Sequence, residues 1–133
     1  MTHMSLYFRS LLFSLLISTS ALSQKGDTLR KYLDDHYSLS NRARSMYPAL
    51  AIRKDDHWML IATYPDTSIL LVAWFKDKNL TIKDGPYSFY FGNGKQYIQG
   101  FYANNIPAGG WKYWYANGAL KDSGVLQSQH TFL

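Results

Sequence analysis

The sequence predicts a mainly β fold, an antiparallel meander of β-hairpins that forms one open sheet. The first observation behind this prediction is a pattern that occurs twice, at residues 85–108 and 109–126. The second is the Asn-Gly pair that follows a run of aromatic residues in each copy, and the third is an aromatic content of 17%. Self-similarity at a fixed period is typical of repeat proteins, in which each unit packs on its neighbours.

The two copies align without a gap at a spacing of 24 residues. Small and turn residues recur as Gly85 and Gly109, Asn93 and Asn117, Gly94 and Gly118, and Gly100 and Gly124, while rings recur as Tyr87 and Trp111, Phe89 and Tyr113, Tyr90 and Trp114, and Phe91 and Tyr115. Each aromatic run favours a strand, because ring side chains fit a pleated, half-buried surface. The Asn-Gly pair tolerates positive φ and predicts a two-residue type I′ turn into a second strand. A single hairpin is only marginally stable in water, so the copies are expected to pair edge to edge.

Residues 1–23 have the pattern of a secretory signal peptide. Arg9 gives a positive start, 11–17 is an apolar run, and 21–23 is a small-x-small cleavage site before Gln24. The apolar run is shorter than the roughly 20 residues that span a bilayer, although a retained membrane anchor is the alternative. We therefore expect a periplasmic or secreted mature chain with no stable membrane span after cleavage.

Residues 24–48 are predicted to form an N-terminal arm or a short helix. Leu29, Tyr32 and Leu33 have helical spacing behind a candidate cap at Asp27 or Thr28. The same residues also suit a strand-like arm laid on the sheet. The sequence leaves both alternatives open.

From Ala49 the pattern indicates strands that continue to residue 126. His57–Tyr64 and Ile69–Phe75 are strand candidates on either side of a turn at 65–68. Segment 57–80 therefore looks like a divergent copy of the same hairpin. Three hairpins predict a sheet of six or seven strands within a repeat domain at 49–126, followed by a tail at 127–133.

Composition excludes several function classes. The chain has no cysteine, so disulfides and thiol chemistry are excluded. Its net charge is +5, but the Lys and Arg residues are scattered along the chain. Nucleic acid is therefore not expected as a partner, because such partners select clustered basic residues.

The repeat residues resemble the MORN-variant, or YwqK-type, repeats. The match comprises Gly85, Tyr87, Tyr90, Phe91, Asn93 and Gly94 in the first copy and Gly109 or Gly110, Trp111, Trp114, Tyr115, Asn117 and Gly118 in the second. The signal-like start and the Lys54–Trp58 segment are similar to the N-terminal repeat region of TonB-type envelope proteins of Gram-negative bacteria. The resemblance implies an open repeat sheet in the cell envelope and no particular activity. Some proteins with such repeats carry the name YwqK-family antitoxin.

Candidates for reactive chemistry are few. The triplets Asp34-Asp35-His36 and Asp55-Asp56-His57 offer side chains that bind divalent metals, but Asp-Asp before a strand is also ordinary turn chemistry. Asp66, Asp77 and Asp84 lie at predicted turns, and no Gly-x-Ser-x-Gly motif is present. We therefore expect no enzyme activity, no metal site and no cofactor.

The repeat positions divide into structural and binding candidates. Ten are expected to define the repeat structurally: Gly85, Tyr87, Asn93, Gly94, Gly100, Gly110, Trp111, Asn117, Gly118 and Gly124. By strand alternation, Tyr90, Lys112 and Trp114 are expected on the face opposite the core, where they are candidates for binding. The favoured function is a non-catalytic interaction module for an envelope protein or peptidoglycan. The alternatives are a carbohydrate- or lipid-surface-binding module and a truncated TonB-type transducer fragment, and the sequence does not predict the oligomeric state.

Overall fold

The computed structural model describes residues 27–126, and these form one antiparallel sheet of eight strands in chain order. The strands are β1 (Thr28–Leu33), β2 (Tyr47–Lys54), β3 (His57–Thr63), β4 (Ile69–Phe75), β5 (Lys83–Tyr90), β6 (Gln96–Ala103), β7 (Ile106–Trp114) and β8 (Leu120–Leu126). A 3-10 turn, Arg42–Arg44, lies between β1 and β2. The sheet is open, with β1 and β8 as its edges, and the predicted fold class is confirmed.

The predicted signal peptide at 1–23 and the predicted tail at 127–133 lie outside the described residues. Within residues 27–126, no helix is long and apolar enough to cross a membrane.

The N-terminal arm is a strand, which is one of the two alternatives that the sequence leaves open. β1 pairs antiparallel with β2, with Leu29 opposite Ala51 and Leu33 opposite Tyr47. Leu29 and Leu33 are four residues apart, a spacing that puts both on one side of a helix and equally on one face of a strand. The sheet therefore starts at Thr28 rather than near residue 49, and it has eight strands rather than six or seven.

One face of the sheet, called here the inner face, carries the core. Its buried residues include Ala51, Trp58, Leu60, Ala62, Ala73, Phe75, Phe89 and Trp111. The loop between β1 and β2 folds over this face, because the Tyr37 ring lies 4.8 Å from the Phe89 ring and 5.4 Å from the Tyr47 ring. Alternate residues point to the opposite, outer face, where Leu50 and Phe101 are each 43% exposed.

The turns at the Asn-Gly pairs differ from the prediction. Phe91 N–H donates to Lys95 C=O and Gly94 N–H donates to Phe91 C=O, both at 2.9 Å. Gly94 has a φ of 81°, whereas Asn93 is not among the residues with positive φ. This is a three-residue loop with a bulge, and Tyr115–Ala119 repeats its hydrogen bonds. The predicted type I′ turns at Asn93-Gly94 and Asn117-Gly118 are therefore wrong.

A two-residue turn in which both residues have positive φ lies instead between β6 and β7. Asn104 and Asn105 have φ values of 49° and 68°, and Ala103 pairs with Ile106 on either side of them. Asn tolerates this conformation better than most residues with a Cβ. The repeat unit thus alternates a three-residue loop at one end of the sheet with a shorter connection at the other.

The β3–β4 hairpin has the same turn as the two repeats. Tyr64 N–H donates to Ser68 C=O and Thr67 N–H donates to Tyr64 C=O, both at 2.9 Å. Asp66 accepts from Ser68 N–H at 3.0 Å, as Asn93 accepts from Lys95 N–H at 3.0 Å. The β3–β4 loop is therefore equivalent in its hydrogen bonds to the loops of the two repeats.

Candidate functional site

The repeat rings form a packed cluster on the inner face of β5, β6 and β7. The Trp111 ring lies 6.0 Å from the Tyr87 ring and 5.1 Å from the Tyr102 ring, centroid to centroid. Burial raises the pKa of Tyr87 to about 12, and Tyr102 contributes to the shift. Tyr87 and Trp111 therefore fill the sheet's packed face, and the Tyr87 hydroxyl stays protonated at neutral pH.

Gly100 lets the Trp111 ring lie directly on the backbone of β6. A Cβ added at Gly100 would lie 2.2 Å from Cδ2 of Trp111, far inside van der Waals contact. Gly85 is constrained in a different way, by a φ of 126° and by Trp74, whose Cβ would lie 2.8 Å from an added Cβ. At both positions a side chain would require a shift of the neighbouring tryptophan.

Gly124 is the next position in this series, and its surroundings differ. It is the Cα partner of Trp111 on β8, yet a Cβ added there would meet no described atom within 4 Å. The Trp111 ring leans toward Gly100, so no residue of the described chain fills the inner-face space over Gly124. We call this space, next to Trp111 on the β8 edge, the Gly124 site.

The β8 edge is exposed as well as unpaired. Leu120 is 54% exposed and Val125 is 70% exposed, and β8 pairs only with β7 among the described strands. An edge strand presents a row of unpaired N–H and C=O groups that another strand can pair with. The sequence only weakly predicts that β8 is an edge strand, because a pattern that occurs twice does not indicate which strand is the last of the sheet.

The outer face has a shallow groove across β6, β7 and β8. It has a volume of about 620 Å³, and its lining includes Gln99, Phe101, Gly110, Lys112 and Ser123. The groove exists because Gly110 contributes no side chain between longer neighbours. Of the three candidate binding residues, only Lys112 lines it, and that residue is exposed.

Tyr90 and Trp114 are half-buried and do not line this groove. Register shifts between Phe89 and Tyr90 and between Tyr113 and Trp114 separate them from the regular alternation. The Tyr90 carbonyl accepts from the Tyr64 hydroxyl at 2.8 Å. The three candidates therefore do not share this groove.

A polar cluster that the sequence does not predict surrounds His57. Its Nδ1 lies 2.7 Å from Asp56 Oδ1 and its Nε2 lies 2.9 Å from Asp84 Oδ2. Asp84 also accepts from Asn104 N–H at 3.0 Å and lies 3.9 Å from Lys76 Nζ. Strand order was the missing signal, because β3 and β5 both begin at this end of the sheet.

The pKa shifts in this cluster agree in direction. The hydrogen bond to Asp84, followed by the one to Asp56, raises the pKa of His57 above its ordinary value of 6.5. The hydrogen bond from His57, followed by the one from Asn104, holds the pKa of Asp84 below 3.8. Because both ring nitrogens are engaged, the cluster acts as a polar cross-link between β3 and β5.

The other Asp-Asp-His triplet lies in the loop after β1. Asp34 Oδ1 accepts from the N–H groups of His36 at 2.9 Å and Ser38 at 3.0 Å, so it stabilises the turn. The ligand atoms of Asp34, Asp35 and His36 lie within 4.8 Å of one another. Among the described residues, His57 does not join this group, so the two triplets form no common metal site.

A smaller cavity of about 250 Å³ lies on the inner face under the β1–β2 loop. Its lining combines apolar residues, among them Leu33, Leu60 and Phe75, with polar groups of Ser38 and Lys83. Lys83 lines this cavity, and its ammonium group lies over two rings, 4.9 Å from the centroid of Tyr102 and 5.9 Å from that of Tyr87. The cavity brings no reactive pair of side chains together.

Comparisons with protein-family models, with curated proteins and with solved structures find no match for this chain.

Proposed function

We propose that this chain is a non-catalytic interaction module of the cell envelope, built from MORN-variant repeats, that binds a protein partner by adding a strand to its open sheet. The observation that carries the proposal is the β8 edge, which is exposed and which, like the Gly124 site beside it, is left uncovered by residues 27–126. Strand addition to a free sheet edge is a common way in which proteins bind extended peptides.

The chemistry of the described residues supports a binding role over a catalytic one. No polar or charged side chain within residues 27–126 is buried. Asp66 and Asp77 accept backbone N–H groups in their own turns, and Asp84 is held by His57 and Asn104. The carboxylates that the sequence offers for acid–base work therefore have structural partners, and catalytic sites need such groups aimed at a substrate.

The envelope location is proposed from the signal-like sequence at 1–23. A protein or peptidoglycan partner follows from the same location and from the resemblance to envelope repeat proteins. The alternative function, a truncated TonB-type transducer fragment, predicts no binding surface other than this edge.

Crosslinking in cells tests the function. The chain, expressed in a Gram-negative host, carries a photo-crosslinking amino acid at Ser123 on β8 or, as a control, at Asp66 in the β3–β4 turn. We expect a mature protein that starts near Gln24 in the periplasmic fraction. We also expect a Ser123-dependent crosslink to one envelope protein that binds again when both proteins are purified.

Two results would contradict the proposal. One is an uncleaved protein that stays in the cytoplasm. The other is equal or absent crosslinking from Ser123 and Asp66, together with no binding to purified envelope proteins or peptidoglycan.

The outer-face groove favours carbohydrate binding as a second candidate function. Phe101 supplies a ring, and Gln99, Lys112 and Ser123 supply hydrogen-bonding groups around it. Aromatic faces with flanking polar groups are suited to sugar rings. Soluble peptidoglycan fragments should then shift the NMR signals of Gln99, Phe101 and Lys112, and Lys112→Ala should weaken binding. Shifts confined to β8, or none, would exclude this candidate.

A further inference from the structure

We infer that the Gly124 site is a receptor for an aromatic side chain on an incoming partner strand, and this inference rests on the proposed function. The partner segment pairs with β8 in the way that β7 pairs with β6, and its ring lies on the backbone at Gly124. The partner chemistry is an extended peptide with a Trp or Tyr at a position that faces the inner side of the sheet.

The first step is the equivalence of β6 and β8. Gly100 on β6 recurs as Gly124 on β8, 24 residues later. On β6 this glycine lies beneath the ring of a residue on the following strand, since a Cβ at Gly100 would meet three Trp111 ring atoms at 2.2–2.4 Å. On β8 the same backbone has no ring over it within the described chain.

The second step is the wall of the site. Trp111 is the Cα partner of Gly124, and its ring leans from there toward Gly100, so the space over Gly124 lies on the other side of Trp111. The rings of Tyr87 and Trp111 lie 6.0 Å apart in the preceding step of the array. A partner ring over Gly124 would extend this series by one member, with aromatic contact to Trp111.

The third step concerns the occupant. β8 itself, Leu120–Leu126, contains no aromatic residue. The single ring of β1, Tyr32, lines an outer-face cavity with Leu50. An antiparallel extension of the sheet by a second copy, through β8 or β1, therefore leaves Gly124 uncovered. A different polypeptide that carries a ring fits the site better.

The chain itself supplies a probe for the test. A peptide with the sequence of residues 106–115 copies β7 and the Tyr115 directly after it. In the protein, β7 pairs with β6 with Tyr113 opposite Ile98 and Lys112 opposite Gln99. The equivalent register on β8 puts those two peptide residues opposite Asp122 and Ser123.

Binding is measured by NMR with the labelled full chain and the unlabelled peptide up to millimolar concentration. We expect shifts concentrated on β8 and nuclear Overhauser contacts between the peptide Trp ring and the α protons of Gly124. Replacing that Trp by Ala in the peptide should weaken binding at least tenfold, because a buried ring contributes about 1.5–3 kcal/mol and 1.4 kcal/mol is tenfold.

Two protein variants separate the ring site from strand pairing. Gly124→Val fills the site from below and should weaken binding at least tenfold. Ser123→Val is the matched control, since it adds a β-branched side chain on the neighbouring residue, which points to the outer face. It should change binding less than threefold. As a check on folding, both variants should keep the wild-type thermal unfolding midpoint and the wild-type NMR chemical shifts of β2–β5.

Several outcomes would overturn the inference. These are an absence of β8 shifts at millimolar peptide, equal binding of the Trp and Ala peptides, and equal effects of Gly124→Val and Ser123→Val. Binding that appears only in a chain shortened to residue 126 would assign the site to this chain's own residues after 126 instead. If the Ser123 crosslink to an envelope protein persists in Gly124→Val, strand addition stands and the ring receptor does not.

Discussion

Gly100 and Gly124 are equivalent in the repeat, but we expect the same substitution to change the free energy of unfolding differently at the two positions. An added Cβ at Gly100 overlaps the Trp111 ring, whereas at Gly124 it meets open space. We therefore expect Gly100→Ala to lower the free energy of unfolding by about 1–3 kcal/mol, as overpacking does in cores. Gly124→Ala should stay within about 0.5 kcal/mol of wild type. Chemical denaturation followed by tryptophan fluorescence measures both.

A double mutant identifies the cause of this difference. If the cost of Gly100→Ala arises from the ring, it should shrink in a Trp111→Leu background, since residues in contact couple in their effects. Equal costs at Gly100 and Gly124 would mean that the ring does not lie on β6 in solution.

His57 gives the stability of the sheet a defined pH dependence. Because its folded pKa is raised, its contribution is fully present below the unfolded value of 6.5 and is lost as pH rises through the folded pKa. The pKa of Asp84 is lowered, so its contribution is present above 3.8 and is lost as pH falls. The pair is therefore most stabilising between about pH 4 and pH 6.5.

This window yields a measurable prediction. The wild-type free energy of unfolding should fall between pH 6 and pH 8.5, and the fall should be smaller in His57→Gln and in Asp84→Asn. Urea denaturation at closely spaced pH values measures it. If the free energy of unfolding changes with pH in the same way in the wild type and in both variants, the pKa of His57 is not raised by folding.

At the scale of the hairpin, the three equivalent loops differ in the residue that takes positive φ. Gly94 and Gly118 have it at 81° and 90°, but the third loop uses Thr67 at 70°. A residue with a Cβ in this conformation costs about 1–2 kcal/mol, whereas glycine costs about 0.5–1 kcal/mol in backbone entropy. We expect Thr67→Gly to raise the free energy of unfolding by about 0.5 kcal/mol.

The reverse change at Gly94 supplies the comparison. Gly94→Ala should cost about 1 kcal/mol, because it introduces a Cβ at positive φ. Gly92→Ala is the matched control, since Gly92 lacks positive φ and an added Cβ there meets nothing within 4 Å. It should be neutral or slightly stabilising. A Thr67→Gly variant less stable than wild type would contradict the shared loop geometry.

Most strands from β2 onward could be predicted from local sequence, but the strand state of β1, the turn type and the polar cross-link could not. Ile69–Phe75 matches its predicted bounds because an uninterrupted β-forming run lies between two turns. An Asn-Gly pair suits both a two-residue turn and the last part of a three-residue loop, and the pairing register of both strands decides between them. His57 and Asp84 are 27 residues apart in sequence, so only the strand order brings them together.

At the scale of the whole sheet, stability is unevenly distributed. Each strand hydrogen-bonds in the sheet only with its chain neighbours, so stability approximates a sum of intrinsic and nearest-neighbour contributions. Almost all buried apolar side chains belong to β1–β5 and the loops between them, and Trp111 is the one buried hydrophobic residue of β6–β8 within the described chain. The repeats with the most regular sequence are therefore the ones with the least core.

Hydrogen exchange should reveal this gradient. Few buried apolar contacts lower the local opening free energy, so we expect amides of β7 and β8 to exchange faster than those of β3 and β4. Trp111→Ala should accelerate exchange in β6–β8 and leave β2–β4 close to wild type, because its ring bridges β7 to β6 and its ring contacts lie within β5–β7. Uniform protection across β2–β8, or a global loss in Trp111→Ala, would mean that the sheet opens as one cooperative unit.

The same measurement links the stability gradient to binding. Because β8 has the lowest expected opening free energy, a partner strand should slow amide exchange most in β8. We therefore expect the residue 106–115 peptide to protect the β8 amides more than those of β3 and β4.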